Sequence, residues 1–176
     1  SLLNNMPGLI IEGMVVAAYI TGAKKGIIYL RAEYNYLLEK LKNTLKEFKE
    51  KGFLGKQIYG IKNFNFNITI QLGAGAYVCG AETALIESLE GKRGEPRIRK
   101  YFPTEFGYLG YSTVVNNVET FAKAARIIEL GADFFSNIGT VNSKGTKILS
   151  ISGDVAKPGI FEVEWGITIK ELLLLS

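Results

Sequence analysis

Residues 73–80, with the sequence GAGAYVCG, combine three glycines with the only cysteine of the chain. Val78 stands where a dinucleotide-binding G-x-G-x-x-G loop needs its last glycine, and no Gly-Lys-Ser/Thr follows, so neither that loop nor a Walker A loop is present. Two interpretations remain open. The segment is a turn before a helix, where a flat or anionic ligand can approach the backbone, or it is a purely structural turn.

Several other polar and aromatic residues are candidates for a binding site. Asn116 and Asn117 precede a helical pattern, so they either cap that helix or offer paired amides to the polar edge of a cofactor. Glu82 stands at the start of a predicted helix, where the helix dipole favours a carboxylate in any case. Tyr101 and Phe102, before a proline, are on local evidence more typical of a core than of a stacking platform.

The composition excludes several classes of chemistry. The chain of 176 residues contains no histidine, which removes serine–histidine and cysteine–histidine catalysis and most metal catalysis. A single cysteine cannot form an internal disulfide or by itself hold zinc or an iron–sulfur cluster. Without histidine to activate it, Cys79 is predicted to be a small buried apolar residue.

The charge and hydropathy patterns indicate an ordinary soluble protein. The net charge is +4, but the lysines alternate with acidic residues, so no nucleic-acid groove is predicted. No run approaches the roughly 18 apolar residues of a membrane helix, and the first residues lack a signal-peptide pattern. We therefore expect a cytosolic α/β protein without direct membrane insertion.

A strand–helix–strand unit is predicted in the first half of the chain. Residues 26–31 and 67–72 are apolar strand-like runs, and residues 34–51 between them have leucines at helical spacing with Gly52 after them. Such a unit gives parallel strands with a right-handed crossover. Ligands of these sheets bind beyond the carboxyl ends of the strands, so residues 31–34 and 73–77 are expected to line one crevice.

The remaining pattern predicts further helices and a second, smaller domain. We expect helices over residues 82–89 and up to about 130, a turn over 91–96, a linker over 139–145, strands over 147–152 and 160–164, and a final helix over 169–175 capped by Thr168. A hairpin followed by a helix is half of a small β-grasp domain. The predicted domains are residues 1–140 and residues 141–176.

Several motifs of the chain together resemble those of a known family. The run GAGAYVCGAETALIESLEGKRGEPR, the Phe-Pro of YFPTEFG and the run STVVNNVETFA resemble the flavin- and NADH-binding subunit of bacterial respiratory complex I, the mitochondrial 51 kDa family. Similar subunits serve NAD-linked hydrogenases and formate dehydrogenases. The resemblance implies an α/β, parallel-sheet flavin-binding domain followed by the start of a ubiquitin-like β-grasp domain of the SLBB type.

The resemblance also implies which residues bind which cofactor. The residues implied for FMN are Tyr77, Gly80, Asn116, Asn117 and Thr120. Those implied for NADH are Glu82 and Phe102. No catalytic acid or base and no metal ligand is implied within this chain, because hydride passes directly between the two cofactor rings.

The implied activity is NADH oxidation with FMN as hydride acceptor, followed by electron transfer to iron–sulfur clusters. The implied partners are NADH and the other subunits of a complex I-like or hydrogenase assembly, including a thioredoxin-like 2Fe-2S subunit. The implied location is peripheral, on the cytoplasmic side of the inner membrane.

The sequence departs from the family pattern in ways that bear on activity. Ala81 stands where the family has a glutamate, and the family's glycine-rich phosphate loop and its 4Fe-4S region lie outside these residues. We therefore expect the isolated chain to bind FMN weakly or not at all and to oxidise no NADH. A docking scaffold without a cofactor is the alternative from a different functional class.

Overall fold

A computed structural model describes residues 2–98 and 100–176. Ser1, where the first predicted domain begins, lies outside the described residues. The described chain divides into two compact units, Leu2–Ala122 and Lys123–Ser176. The domain boundary after residue 140 that the sequence suggests stays a prediction.

The first unit contains a two-stranded parallel sheet. Strand β1, Lys25–Leu30, pairs with strand β2, Asn67–Leu72, in a register that runs from Lys25 opposite Asn67 to Leu30 opposite Leu72. The predicted parallel pairing is therefore confirmed. The carboxyl ends of both strands lie at the same edge of the sheet, which is the edge where the sequence predicts a ligand crevice.

A buried helix supplies half of the main core cluster of this unit. Helix α1, Leu2–Asn5, is followed by helix α2, Pro7–Thr21, whose first residue is a proline and which ends at Gly22 with a φ of +73°. Because α2 is apolar on nearly all sides, it buries residues on several faces. The buried core cluster consists of Ile10, Ile11, Met14, Val15, Ala18, Ile28, Leu54, Ile58, Phe66 and Ala122.

The connection between the two strands differs from the continuous helix that the sequence predicts. Residues Ala32–Leu37 form a 3-10 helix, and the α-helix, α3, covers only Leu38–Glu50. The reason is local, because Tyr34 has a φ of −100° and a ψ of +19°, which interrupts a regular helix. Leu30, Leu37 and Leu41 nevertheless form a second buried cluster, while most of the charged face of α3 is exposed.

The rest of the first unit follows the second strand. A 3-10 turn, Tyr77–Gly80, leads into helix α4, Glu82–Leu89, with the bounds that the sequence predicts. Short 3-10 turns also occur at Ile58–Gly60 and Tyr108–Gly110. Helix α5, Val118–Leu130, begins in this unit, and the division between the units falls inside it.

The second unit is built around a hairpin. After helix α6, Ala132–Ser136, strand β3, Thr146–Ile151, pairs antiparallel with strand β4, Gly159–Glu164, and helix α7, Ile169–Leu175, follows. Thr168 and Glu171 form a reciprocal capping box at the start of α7, which confirms the predicted cap. The linker predicted over residues 139–145 instead turns back on itself in an antiparallel bridge between Gly139 and Lys144, because Gly139 and Gly145 adopt positive φ angles.

Within residues 2–98 and 100–176, no helix combines the length and apolar character needed to cross a membrane.

Candidate functional site

The turn after β2 contains glycines at positions where the surrounding structure requires them. The Gly73 N–H donates to the Leu30 carbonyl over 2.8 Å, which continues the sheet by one residue. A Cβ on Gly73 would lie 2.5 Å from Cζ of Tyr29, so the tyrosine ring leaves room only for glycine. Gly75 has a φ of +86°, in the left-handed region. These glycines are therefore needed by the fold whether or not a ligand binds.

The loop after β1 meets this turn, as the sequence predicts. Arg31 Nη2 donates to Glu33 Oε1 over 2.8 Å. A Cβ built on Gly75 would lie 3.6–3.7 Å from the carboxylate atoms of Glu33, which is ordinary van der Waals contact. The Glu33 carboxylate therefore lies close to Gly75, and the two loops beyond the carboxyl ends of the parallel strands come near each other.

Charge is concentrated at this meeting point. Glu33 raises the pKa of Arg31 through the hydrogen bond and the ion pair, and Tyr34 and Tyr77 contribute to the same rise. The pKa of Glu33 is lowered by its own backbone N–H and then by Arg31. Both side chains are therefore firmly ionised at neutral pH, and Tyr77 belongs to their surroundings.

The two turn residues implied for FMN are accessible to a ligand. The Tyr77 side chain is 87% exposed. A Cβ built on Gly80 would meet no atom within 4 Å, so the backbone of Gly80 faces open space. An exposed aromatic ring next to open glycine backbone suits a planar ligand such as an isoalloxazine ring. The residues present therefore fit FMN at this turn.

The cysteine of the same turn lies on the opposite, buried side. Cys79 is 6% exposed, which confirms the sequence prediction of a buried apolar residue. Burial raises the pKa of the neighbouring Tyr29 hydroxyl, and the Cys79 thiol raises it further. The Tyr29 hydroxyl also lies 2.9 Å from Oγ of Ser88, which connects β1 to α4 beneath the turn.

Asn116, Asn117 and Thr120 are all exposed, around the start of α5. Asn117 Oδ1 accepts a hydrogen bond of 2.9 Å from the Glu119 N–H, so Asn117 does cap the helix. The cap uses only the carboxamide oxygen, and the carboxamide nitrogen keeps its capacity to donate to a ligand. The two interpretations of this segment, cap and cofactor contact, are chemically compatible.

The two residues implied for NADH lie on different segments. Glu82 is the first residue of α4 and is half-buried. Phe102 is 58% exposed, and its N–H donates to Glu105 Oε2 over 3.0 Å. A cleft of about 200 Å³ opens in the same region. It is lined by Thr83, Ile86, Arg97, Ile98, Lys100, Tyr101, Pro103 and Phe106.

Ala81 is the residue that caps α4, and it supplies no side-chain hydrogen bond. The family glutamate implied at this position would place a carboxylate at the helix N-terminus, where the helix dipole favours negative charge. With alanine, only the backbone remains at this point of the turn.

A buried ionic network, which sequence reasoning missed, holds the segment that follows α4. The carboxylates of Glu87 and Glu90 are only 12% and 8% exposed, and both pair with Arg97 and Lys92. Glu90 Oε1 also accepts the Leu109 N–H over 2.9 Å. The network therefore ties the turn over residues 91–96 and the aromatic segment around Phe102 to α4. The charged residues of GKRGEPR are visible in the sequence, but their partners are not.

Glu90→Gln is expected to lower the free energy of unfolding at pH 7 by about 1–3 kcal/mol, because it weakens a hydrogen-bonded group in this network. Lys92 first, and then the Leu109 N–H, lower the pKa of Glu90. A lowered pKa means that the contribution is present above the unfolded glutamate value of about 4.3 and is lost as pH falls through the folded value. Urea unfolding at pH 7 and near pH 3 measures this. The exposed Glu50→Gln is the control, and an equal Glu90→Gln effect at both pH values would contradict the prediction.

A second residue that the sequence analysis missed is Gly13 in α2. A Cβ there would lie 2.5 Å from the Phe121 carbonyl carbon, so the backbones of α2 and of the first turn of α5 are in direct contact. The available signal was an isolated glycine inside an otherwise apolar helix. Gly13 thereby sets the position of the turn that follows Asn117.

The described residues contain no group of three or more cysteine, aspartate and glutamate side chains arranged to hold a metal ion. The structure brings together the two loops beyond the sheet and places Tyr77, Gly80 and Glu82 on a single turn. Asn116, Asn117 and Thr120 lie on another segment, and Phe102 on a third.

Comparison with solved structures confirms the fold class. A chain in the crystal structure of an air-oxidised NAD+-reducing NiFe hydrogenase superposes with a TM-score of 0.89 at 43% identity, over 98% of this chain and 28% of the other. The H2-reduced form gives a TM-score of 0.88 at 44% identity, over 97% of this chain and 28% of the other.

Comparison with curated sequences gives relatives of two kinds. The alpha subunit of the NAD-reducing hydrogenase HoxS of Cupriavidus necator is 56% identical over 99% of this chain and 29% of its own length. A subunit of the NADH-quinone oxidoreductase of Aquifex aeolicus is 44% identical over 98% of this chain and 40% of its own length. The chain thus spans well under half the length of these relatives.

The family comparison confirms the resemblance seen in the sequence motifs. The family described as the Nuo51 FMN-binding domain matches residues 1–126, which include the turn over residues 73–80 and the Asn116–Asn117 segment. Together with the identities to both kinds of relative, this match shows that the chain belongs to the Nuo51 FMN-binding family.

Proposed function

We propose that this chain forms the flavin- and NADH-binding part of the NADH-oxidising flavoprotein subunit of a respiratory NADH-quinone oxidoreductase. The observation that carries the proposal is the open turn beyond the parallel strands, where exposed Tyr77 and unobstructed Gly80 fit a planar ring. Membership of the Nuo51 FMN-binding family supports FMN as that ring.

Within this proposal the side chains bind and orient. Tyr77 and Gly80 would contact the flavin ring, and Asn116, Asn117 and Thr120 would hydrogen bond its polar edge. Glu82 and Phe102 would contact NADH. When bound, FMN supplies a two-electron hydride acceptor that releases electrons singly. The protein's contribution is to hold the two rings at reacting distance, and this needs no acid or base from a chain that lacks histidine.

The proposed setting is a larger assembly. Electrons would leave to iron–sulfur clusters, a 4Fe-4S cluster in the same subunit and a 2Fe-2S cluster in a thioredoxin-like partner. The subunit would lie peripherally on the cytoplasmic side of the inner membrane. Subunits of such assemblies among the relatives support this setting.

A second candidate is the equivalent diaphorase subunit of an NAD-linked hydrogenase. The observation in its favour is the 56% identity to the HoxS alpha subunit. Purifying the native assembly from the source cells separates the two candidates. NADH–quinone reduction that a rotenone-type inhibitor blocks would support the first candidate. H2-dependent NAD+ reduction would support the second candidate.

The flavin site can be tested in a chimera in which this chain replaces the matching segment of the HoxS alpha subunit. We expect the chimera to bind FMN, measured by quenching of flavin fluorescence. Asn116→Ala with Asn117→Ala should weaken binding about tenfold or more, because two amide hydrogen bonds at about 1 kcal/mol each are lost.

The matched control is a second pair of adjacent asparagines. Asn4 and Asn5 are exposed in α1 and hydrogen bond to each other, so their double alanine variant removes the same groups elsewhere. It should leave FMN binding unchanged. A chimera that assembles with its partner subunits but binds no FMN up to millimolar concentration would overturn the flavin proposal and support the docking scaffold.

A further inference from the structure

Tyr29 in strand β1 lies beneath the turn over residues 73–80. Its neighbours Ile28 and Leu30 are buried in the two core clusters, so the alternation of a strand places the Tyr29 side chain on the other face of the sheet. Helix α4 covers that face, since the Tyr29 hydroxyl lies 2.9 Å from Oγ of Ser88 in α4. Tyr29 is therefore placed between the sheet and the helix that the turn connects.

The ring of Tyr29 packs against the first residue of the turn. A Cβ built on Gly73 would lie 2.5 Å from Cζ and 2.8 Å from Cε1 of Tyr29, so the ring lies directly against the glycine backbone. The Gly73 N–H donates to the Leu30 carbonyl over 2.8 Å. The Tyr29 ring and the sheet together fix where the turn begins.

The hydroxyl of Tyr29 lies near the last part of the turn. Burial raises the pKa of Tyr29, and the nearby Cys79 thiol raises it further. The hydroxyl therefore stays protonated at neutral pH, and either it or the Ser88 hydroxyl donates their shared hydrogen bond. Because α4 contains only eight residues, holding Ser88 near its end and Cys79 just before its start fixes the orientation of the whole helix.

The ligand side of the same turn is open. The Tyr77 side chain is 87% exposed, and a Cβ built on Gly80 would meet no atom within 4 Å. Side chains and backbone in such an open position are not fixed by packing around them. Their position depends on how the turn is held from below.

We propose that Tyr29, through its hydrogen bond with Ser88, is a positioning residue that fixes both ends of the 73–80 turn and thereby sets how tightly the turn binds FMN. The inference rests on the proposed flavin function. Without the hydrogen bond, α4 and the turn can shift relative to β1, so the geometry that binds the flavin is populated less often. The dissociation constant rises in proportion, because only the competent fraction binds.

Substitutions at both ends of the hydrogen bond test the inference in the chimera. Tyr29→Phe keeps the ring against Gly73 but removes the hydroxyl, and it should raise the FMN dissociation constant about threefold to tenfold. Ser88→Ala should raise it similarly, whereas Ser88→Thr keeps a hydroxyl and should restore binding. The double variant of Tyr29→Phe with Ser88→Ala should lose no more affinity than the weaker-binding single variant, since both remove the same bond.

Two controls separate positioning from a general loss of stability. Tyr19→Phe removes the hydroxyl of a 61% exposed tyrosine whose ring meets Phe64 edge-on, and it should leave FMN binding unchanged. Ile58→Val removes a fully buried methyl group before β2 begins, at the opposite end of the sheet from the turn. It should lower stability but not FMN affinity. If Ile58→Val weakened FMN binding as much as Tyr29→Phe, general destabilisation would explain the effect and the inference would be overturned.

Amide hydrogen exchange of the chimera before FMN is added follows the turn itself. Exchange of the amides of residues 76–81 should be several-fold faster in Tyr29→Phe and in Ser88→Ala, and unchanged in Tyr19→Phe. Unchanged exchange, an unchanged dissociation constant, or additive losses in the double variant would overturn the inference. Faster exchange in a chimera that binds no FMN even with Tyr29 and Ser88 intact would overturn the proposed flavin function and leave the positioning of the turn supported.

Discussion

Gly13→Ala is expected to lower the free energy of unfolding by about 3 kcal/mol. A methyl group at Gly13 would lie 2.5 Å from the Phe121 carbonyl carbon and 2.9 Å from its Cα. These are backbone atoms of a helix, so they cannot rotate away as a side chain can. Helix propensity alone would give the opposite sign, because alanine is favoured over glycine in a helix by about 1 kcal/mol. Urea or thermal unfolding measures the difference.

Gly8→Ala in the same helix is the matched control. A Cβ at Gly8 would lie 3.4–3.5 Å from the ring of Phe48, which is an ordinary contact with a side chain. Gly8→Ala should therefore be neutral or slightly stabilising. In the chimera, Gly13→Ala should also weaken FMN binding, because the displaced turn follows Asn117. Equal stability of the two alanine variants would contradict a direct backbone contact between α2 and α5.

Gly94→Ala is expected to lower the free energy of unfolding by about 2 kcal/mol, because its Cβ would overlap the Cys79 Sγ atom. This contact joins the charged turn after α4 to the buried side of the Tyr77–Gly80 turn. Cys79→Ala alone removes a buried sulfur at a cost of about 1 kcal/mol. Since the second substitution removes the atom that the first one overlaps, the double variant should lose less stability than the sum of the two single variants.

A double-mutant cycle of Gly94→Ala and Cys79→Ala tests this prediction. We expect a coupling of about 1–2 kcal/mol from unfolding curves of the four proteins. Gly80→Ala serves as the control glycine, since a Cβ there meets no atom within 4 Å and the substitution should leave stability unchanged. Additive effects of Gly94→Ala and Cys79→Ala would show that the two residues do not touch.

The local elements could be predicted because their causes are close together in the sequence. The period of the leucines in α3, the apolar runs of β1 and β2 and the capping residues of α7 act within a few positions, and all of these elements form. The start of α3 was predicted too early in the chain. The residues of 32–37 suit a helix, but the chain that leaves a strand at Leu30 enters it through a 3-10 turn.

The composition of the chain and its motifs determined the kind of protein. The absence of histidine and the single cysteine excluded most catalytic chemistry. The motifs around Tyr77 and Asn117 were specific enough to indicate the family that the comparisons confirm. Those motifs could name candidate cofactor residues because residue type and order are written in the chain.

The tertiary structure alone decided which distant residues touch. Chain segments that are far apart in the sequence meet at three places. Gly13 lies against the backbone of Phe121, Gly94 lies against Cys79, and the Glu33 carboxylate lies near Gly75. The same holds for Glu90, whose partner Leu109 follows 19 residues later. Periodicity and capping act over a few residues, whereas packing and charge pairing depend on three-dimensional distance, and the sequence does not record that distance.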